Sequence, residues 1–566
     1  LRGGARWTSL VRVATALAAS ALAVAACSGS SDPEPTAQPT AESTVDVDFD
    51  VEAHTAASDC EDRFVSFAVD HETRGFGSSE TMFDGTGAGL ALGDLDGDGD
   101  DDLVLANLSG DSSLLWNTGG MDFERHPLIE GRFRQVSIVD FDADDLNDIV
   151  LTTGVGRPLV LINTGSGTDP AERFERVEYP DLDAFAYTLG WGDLDGDGDL
   201  DVVSGSYNAE LTANRQLLLG ERAGVVVYTN TSDGYSSVQL TDESQTLALW
   251  IGDLDGDGAN DIVVGNDLAT PDQIWLNSAG GWEAATPFTE TAFSTMSFDA
   301  GDLDNDGDID LFATDMKPMD DEPQTLENYS EVHADIEASP TDAIQRPENV
   351  LNFATVDGFE NQAIDLGLEA TGWSWSGLFG DLDNDGLQDI YVVNGMVADN
   401  LFAHLPGSAL VEPNQAFRNE GDSFAPAPQW DLDHTDGGRG MALADLDGDG
   451  DLDIAINNLN SPSRIFENRI CGNASVTLRL SWPDSGNHAA IGARVEAIGA
   501  DGDRYLRTVE ATRGYLSGAS PTVHFGLGPG SEPVDIKVTW PDSEVSTLRE
   551  VTPGSHLLVT RSEGPQ

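Results

Sequence analysis

The residues of this chain that could do chemistry are aspartates, and they recur in a fixed pattern. The pattern first appears as Asp94-Leu95-Asp96-Gly97-Asp98-Gly99-Asp100-Asp101-Asp102 and returns from Asp140, Asp193, Asp253, Asp302, Asp381 and Asp445. Positions 1, 3, 5 and 9 are carboxylates in all seven copies. They are Asp94, Asp96, Asp98 and Asp102, then Asp140, Asp142, Asp144 and Asp148, then Asp193, Asp195, Asp197 and Asp201. The fourth and fifth copies hold Asp253, Asp255, Asp257 and Asp261, and Asp302, Asp304, Asp306 and Asp310. The last two hold Asp381, Asp383, Asp385 and Asp389, and Asp445, Asp447, Asp449 and Asp453. Alternate positions of a tight loop aim at one centre, and Ca²⁺ takes six to eight hard oxygens. Position 7 is Asp100, Leu146, Asp199, Ala259, Asp308, Leu387 or Asp451. A position that tolerates Leu and Ala offers its backbone carbonyl.

Glycine at position 6 supplies the positive φ that turns the chain back. Asp145 stands there in the second copy, at a cost of ~1 kcal/mol, so the Asp140 loop is expected to be the weakest of about seven calcium sites. An EF-hand needs a bidentate Glu at position 12, where this chain has Leu105, Ser204, Val264 or Ala313. Zinc, copper and iron favour His or Cys, and neither accompanies the clusters. Plain Asp-Gly turns without metal would leave four mutually repelling carboxylates in each loop.

Strands must position these loops. Each loop is followed by a short apolar run rich in β-branched residues, such as Leu103-Val104-Leu105 or Ile262-Val263-Val264. Runs such as Val136-Ser137-Ile138-Val139 precede them. Each loop therefore reads as a hairpin connection. A later strand ends in a turn at Leu115-Trp116-Asn117, Leu161-Ile162-Asn163, Ile274-Trp275-Leu276-Asn277, Val350-Leu351-Asn352 and Phe417-Arg418-Asn419. The copies are 46, 53, 60, 49, 79 and 64 residues apart, which suits one four-stranded propeller blade per repeat. The expected fold is all-β, a seven-bladed propeller over 59–471. The stretch Met316 to Asn349 interrupts the repeat and is the best place for a helix. Beyond it, residues 472–566 show period-2 alternation at Val476, Leu478, Leu480 and Trp482, and at Val534, Ile536, Val538 and Trp540, as in a small β-sandwich.

The 566 residues include 27 basic and 101 acidic ones, for a net charge of −74. Nucleic acid is therefore excluded as a partner, and so are anionic membrane surfaces. Seven Ca²⁺ ions at +2 each would bring −74 to −60. Residues 1–27 read as an export signal: Arg2, Arg6 and Arg12 precede an apolar run too short to span a bilayer. Val24-Ala25-Ala26-Cys27 resembles a bacterial lipobox, which makes Cys27 the lipidation site and the lipid the membrane anchor. Residues 28–58 read as a flexible tether. Export leaves Cys60 and Cys471 in an oxidising compartment. A closed ring brings the two ends of its chain together, so a Cys60–Cys471 disulfide is expected.

The Asp hairpins resemble FG-GAP/VCBS repeats of the integrin α-chain propeller, from about Phe64 to Asn468. The carboxyl-terminal stretch resembles the ASPIC/UnbV domain of cartilage acidic protein and its bacterial relatives. It does so through Ile491-Gly492-Ala493-Arg494-Val495, Arg513-Gly514-Tyr515-Leu516-Ser517, His524-Phe525-Gly526-Leu527-Gly528 and Val538-Thr539-Trp540-Pro541. Asp542-Ser543 departs from the family's usual Ser-Gly at a turn. The resemblance implies a calcium-stabilised extracellular scaffold with no settled enzymatic activity.

Catalytic motifs are missing from the sequence: it contains no Gly-x-Ser-x-Gly elbow, metalloprotease helix or phosphate-cradling loop in the right setting. His524 reads as a structural histidine. Trp373 and Trp375 read as core between blades, or as a sugar-stacking platform. The expected function is an exported, monomeric scaffold for adhesion to an extracellular protein or glycan. A calcium-dependent lyase-like enzyme on polysaccharide is one alternative, which the presence of only Lys317 and Lys537 weighs against. An assembly or maturation factor for another exported protein is the other.

Overall fold

Every Asp-rich loop joins the first two strands of a four-stranded antiparallel blade, and in every blade the register is the same. The residue before position 1 faces position 9: Gly93 opposite Asp102, Val139 opposite Asp148, Gly192 opposite Asp201 and Gly252 opposite Asp261. Gly301 opposite Asp310, Gly380 opposite Asp389 and Ala444 opposite Asp453 complete the set. The loops are thus of equal length and lie at equivalent corners. The structure is a computed structural model that describes residues 43–562, apart from 56–59, 76–81, 168, 180, 220–221, 269, 331, 333–343, 357, 501 and 531. The expected signal, Cys27 and the first part of the expected tether lie outside the described residues.

Seven such blades form a seven-bladed propeller, and the sheet of blade 1 is extended to six strands by Thr512–Arg513 and Ser517–Gly518 of the carboxyl-terminal region. The first blade runs Leu90–Gly93, Asp102–Leu105, Asp111–Asn117 and Phe123–Glu130. The seventh takes three strands from the end of the repeat region and its outer strand, Phe64–Glu72, from the beginning, paired with Pro462–Asn468. The ring closes where Leu90, Leu92, Leu103 and Leu105 of blade 1 share one apolar core with Ala442, Ala455 and Ile465 of blade 7. Cys60 and Cys471 are joined just outside this closure, with Cα atoms 5.7 Å apart. The second strand of each blade is buried along its whole length, which is why the sequence shows continuous apolar runs there rather than alternation.

The carboxyl-terminal domain consists of two four-stranded sheets. One of them gains its edge strand from the other end of the chain. Val47–Ala53 pairs antiparallel with Ser555–Arg561, so part of the segment expected to be a tether is strand. Val47, Phe49 and Val51 alternate with polar residues, but Phe49 and Val51 are exposed, so this edge strand is held by its backbone pairing rather than by burial of one face. In the insertion, the described residues form a short helix, Pro323–Asn328. Beyond it, Tyr329 is buried against Trp373 and donates its hydroxyl to Glu412 at 2.8 Å. Trp373 and Trp375 are 4% and 1% exposed, which rules out a sugar platform at this pair. The Trp375 indole donates to Gly395 O and lies under the Arg439 guanidinium, 4.5 Å from the ring centroid.

Candidate metal centres and their cover

Within each loop the carboxylates converge as the spacing requires. Three carboxylate oxygens lie within 4.8 Å of one another in Asp94/Asp96/Asp102, Asp140/Asp142/Asp148, Asp193/Asp195/Asp197, Asp253/Asp255/Asp261 and Asp302/Asp304/Asp306. Position 9 anchors the loop. One oxygen of Asp102 accepts the Leu95 N–H and the other the Asn117 N–H, both at 2.9 Å. The same pair of bonds recurs at Asp148, Asp201, Asp261, Asp310, Asp389 and Asp453. Each carboxylate oxygen keeps a second lone pair for a cation. Position 7 directs its backbone N–H at the position-5 carboxylate in all seven loops, at 2.9–3.1 Å.

The electrostatics favour a cation. Position 9 is at most 1% exposed in every loop. Burial, followed by repulsion from neighbouring aspartates, raises the carboxyl pKa to about 8 at Asp102 and Asp310, about 7 at Asp148 and Asp201, and about 6 at Asp261. Asp389 and Asp453 are pushed well above the usual carboxylate range by the same causes. A buried anion without a counter-charge is costly, and a divalent ion supplies that charge. In loops 5 and 6, the buried Oδ1 atoms of Asn305, Asp383 and Asn384 have no hydrogen-bond partner. An all-oxygen donor set with unspent acceptors fits a hard cation.

Two conformational requirements meet in each loop. Position 6 has positive φ throughout: Gly99, Gly198, Gly258, Gly307, Gly386, Gly450 and, at 72°, Asp145. Position 4 has positive φ as well, a demand that the sequence reading missed although Asp-Gly-Asp-Gly spells it out. Gly97, Gly196, Gly256 and Gly448 meet it freely, while Asn305, Asn384 and Ala143 adopt it at 57–60°. The residue type sorts the loops. Where position 4 is Gly, its N–H binds the position-1 carboxylate. Where it is Ala or Asn, the position-5 N–H does so instead.

The asparagine that ends the third strand, read from sequence only as a turn, links neighbouring loops. Its side-chain amide donates to the position-2 carbonyl of the preceding blade: Asn163 to Leu95, Asn277 to Leu194, Asn419 to Leu303 and Asn468 to Leu382. Asn117 reaches Leu446 and carries the chain of contacts across the closure. In blade 5, Ala354 rather than Asn352 supplies the N–H to position 9, and the strand runs on to Thr355, three residues beyond the expected end.

The carboxyl-terminal domain lies over this ring of loops. Arg479 pairs with Asp94 and Asp101 at 3.3 and 2.8 Å. His488 lies 2.5 Å from Asp140, and Arg494 lies 3.6 Å from Asp253. Ser485 donates to Gly198 O, Asn473 to Asp383 O at 2.7 Å, and Ser475 to Gly450 O at 2.5 Å. His524 is buried, bonds Gly450 O and is held neutral by burial, with its pKa lowered to about 3, in keeping with a structural role.

From this domain, residues 510–518 reach the inner strands of all seven blades and therefore occupy the propeller axis. Gly518 pairs with Ala91 and packs on Val136. The Tyr515 hydroxyl lies 3.0 Å from that of Tyr187, and Glu510 accepts the Trp250 indole N–H. Arg513 makes a two-pronged pair with Asp299 at 2.8 and 2.6 Å. The Gly514 N–H donates to Phe298 O, the Tyr515 N–H to the Ser376 hydroxyl and the Met441 N–H to the Ser517 hydroxyl. Gly89 is required for this fit, since a Cβ there would lie 1.7 Å from Leu516 O. The Arg513-to-Ser517 motif stands out in the sequence, but nothing in it shows that the motif fills a channel.

The FG-GAP-like repeat model matches residues 140–204, 253–313 and 399–456, and the ASPIC and UnbV model matches 483–566. Cartilage acidic protein 1 of Xenopus tropicalis is 30% identical over 181 residues, covering 31% of this chain and 26% of that protein. The Homo sapiens protein is 30% identical over 178 residues, covering 29% and 24%. The chain thus spans about a quarter of the length of the curated relatives it matches. Among solved structures, BBS1N in complex with ARL6DN covers 72% of this chain and 98% of its own, at TM-score 0.36 and 10% identity. The V. cholerae biofilm matrix protein Bap1 covers 86% and 72%, at TM-score 0.29 and 12% identity. Among the described residues no helix is long and apolar enough to cross a membrane. The chain carries FG-GAP-like repeats in its propeller and an ASPIC and UnbV domain after them.

Proposed function

We propose that this protein is a calcium-loaded scaffold displayed outside the cell, anchored by lipid at Cys27, that binds an extracellular protein or glycan. The observation that carries this reading is the sevenfold repetition of one all-carboxylate loop with a buried, uncompensated Asp at position 9. Positions 1, 3, 5 and 9 would hold the ion through side chains and position 7 through its backbone carbonyl. The metal's role is structural, because a catalytic pair would be unique whereas these sets repeat.

The partner binds the face away from the loops. The carboxyl-terminal domain covers the loop face, and variable connections on a rigid scaffold are where recognition concentrates. Contacts of the described part of the insertion support this reading: Tyr329 donates to Glu412 at 2.8 Å, and Lys317 pairs with Glu369 at 3.6 Å.

Calorimetric titration of calcium into chelator-stripped protein tests the first part. About seven ions should bind, and chelation should lower the melting temperature. One site at a hundred times its Kd contributes ~2.7 kcal/mol. Absence of binding, or a melting curve indifferent to chelator, overturns the reading. Replacing residues 333–343 with a Gly-Ser linker, which spares Tyr329, should weaken a partner found in a glycan and protein screen. Undiminished binding would remove the insertion from the site.

A further inference from the structure

We propose that the carboxyl-terminal domain is a metal-set stopper: cations in the loops hold it down, and their removal withdraws residues 510–518 from the propeller axis. This rests on the calcium reading above and adds a moving part to it.

The contacts themselves point to this coupling. The domain, with the strand segment added from the amino-terminal side, grips the loops through their backbone carbonyls, besides the contacts of Arg479, His488 and Arg494 with Asp94, Asp140 and Asp253. Those carbonyls belong to the positions whose conformation a bound ion would fix. At position 3 they are Asp383 O, bound by Asn473, and Asp447 O, bound by Thr55 at 3.2 Å. At position 4 they are Asn384 O and Gly448 O, bound by the N–H groups of Gly528 and Thr55 at 2.7 Å each. At position 6 they are Gly198 O, Gly307 O and Gly450 O, bound by Ser485, Arg494 and Ser475. Positions 4 and 6 are also the two residues of positive φ. Without a cation, four carboxylates repel across each loop, and the φ-strained corners that present these carbonyls lose the force that holds them.

The domain's own attachment decides what happens next. Its chain connections to the propeller lie next to the Cys60–Cys471 bond, beside blade 7. Released from loops 1 to 6, it stays tethered there and swings. Its axial hairpin is held by polar bonds to Asp299, Ser376 and Tyr187, by the short parallel bridge at Ala91 and by the burial of Tyr515 and Leu516 against Trp375, Leu378 and Met441. It joins the sheet of blade 1 only at its inner edge, through that one bridge, so it can leave while the seven blades, whose apolar cores lie between neighbouring sheets, persist.

Hydrogen–deuterium exchange of the full chain with calcium alone or with chelator tests this. Chelation should speed exchange at residues 511–519 about tenfold or more, while the second strands Asp201–Gly205 and Asp261–Asn266 change by less than about twofold. Calcium should restore the protection. An unchanged hairpin overturns the proposal, as does a hairpin that loses protection only together with the blade strands. Parallel calorimetry separates the two readings: absent calcium binding sinks the metal assignment itself, whereas calcium binding with an indifferent hairpin sinks only the stopper. Because coupling is reciprocal, the double variant S475A/S485A, which alters no metal ligand and no charge and removes only bonds to the loop carbonyls of Gly450 and Gly198, should weaken calcium binding about fivefold or more. Unaltered calcium affinity in that variant also overturns the proposal.

Discussion

Loops 2 and 6 carry the same four aspartates on the same register, yet they differ in most other respects. Loop 6 is covered. Asp381, Asn384 and Asp389 are buried, Asn473 and Gly528 bind its carbonyls, and Arg418 pairs with Asp383 and Asp385 at 2.5 and 2.6 Å. Loop 2 stands open. Asp142, Ala143, Asp144 and Asp145 are all exposed, and its two corners are Ala143 and Asp145 at φ 60° and 72°. His488 is its main cover and contacts Asp140. The ligand pattern alone therefore does not set affinity. The conformational cost of the corners and the burial of the charges separate two sites that read almost alike.

The largest expected effect is on metal release. As free calcium falls, loop 2 should empty first and loop 6 among the last, and the total loss of stability should track the number of ions lost at up to ~2.7 kcal/mol each. Native mass spectrometry counts the ions, and Asp142→Asn and Asp383→Asn, one in each loop, identify which ion leaves. Early loss from loop 6 would reverse the comparison.

A smaller effect concerns the anchor at position 9. Asp389→Ala orphans the N–H groups of Leu382 and Asn419, and Asp148→Ala those of Phe141 and Asn163. In chelator, each should cost about 3 kcal/mol, from two unsatisfied donors. With calcium present the gap should open, because Asp389→Ala also forfeits the tighter ion, worth a further ~2 kcal/mol. Denaturant unfolding of both variants under both conditions reads this directly. Equal costs in calcium would mean that the two loops bind alike.

Much of this was legible in the sequence because the loop is a local object. Four aspartates, a turn glycine and a β-branched run sit within a dozen residues, and the register that brings position 9 beneath position 1 needs only the hairpin itself. The ring followed from repeating that unit. What stayed hidden was set by contacts distant in sequence. Arg513 and Asp299 are 214 residues apart, and no period or composition links them. Val47–Ala53 finds its partner about 500 residues away, and its acidic residues resembled a solvated tether. Trp373 and Trp375 could be read as surface or core until the inner strand of blade 6 placed them. The Asn at the third-strand end was visible, but its function of joining adjacent loops belongs to the closed ring alone.

The smallest predicted effect is also the cleanest, since it changes no ligand. Ala143 is exposed, has no side-chain group to bond the backbone, and sits in the left-handed region, which costs an ordinary residue ~1–2 kcal/mol. Glycine removes that cost and returns part of the gain as unfolded-chain entropy, ~0.4–1 kcal/mol. The calcium-bound form of loop 2 should gain the difference, so Ala143→Gly should tighten its Kd by about two- to fivefold. The matching change in loop 6, Asn384→Gly, should not help. Asparagine tolerates the left-handed region, and the Asn384 amide donates to Asp451 of the next loop at 2.6 Å, a bond that glycine cannot make. Calcium binding at loop 6 should therefore hold or weaken while that at loop 2 strengthens. Competition with a calcium-sensitive dye, run on the two variants side by side, measures both signs. If Ala143→Gly leaves loop 2 no tighter, corner strain is not what separates these two sites, and the cover supplied by the carboxyl-terminal domain must account for the whole difference.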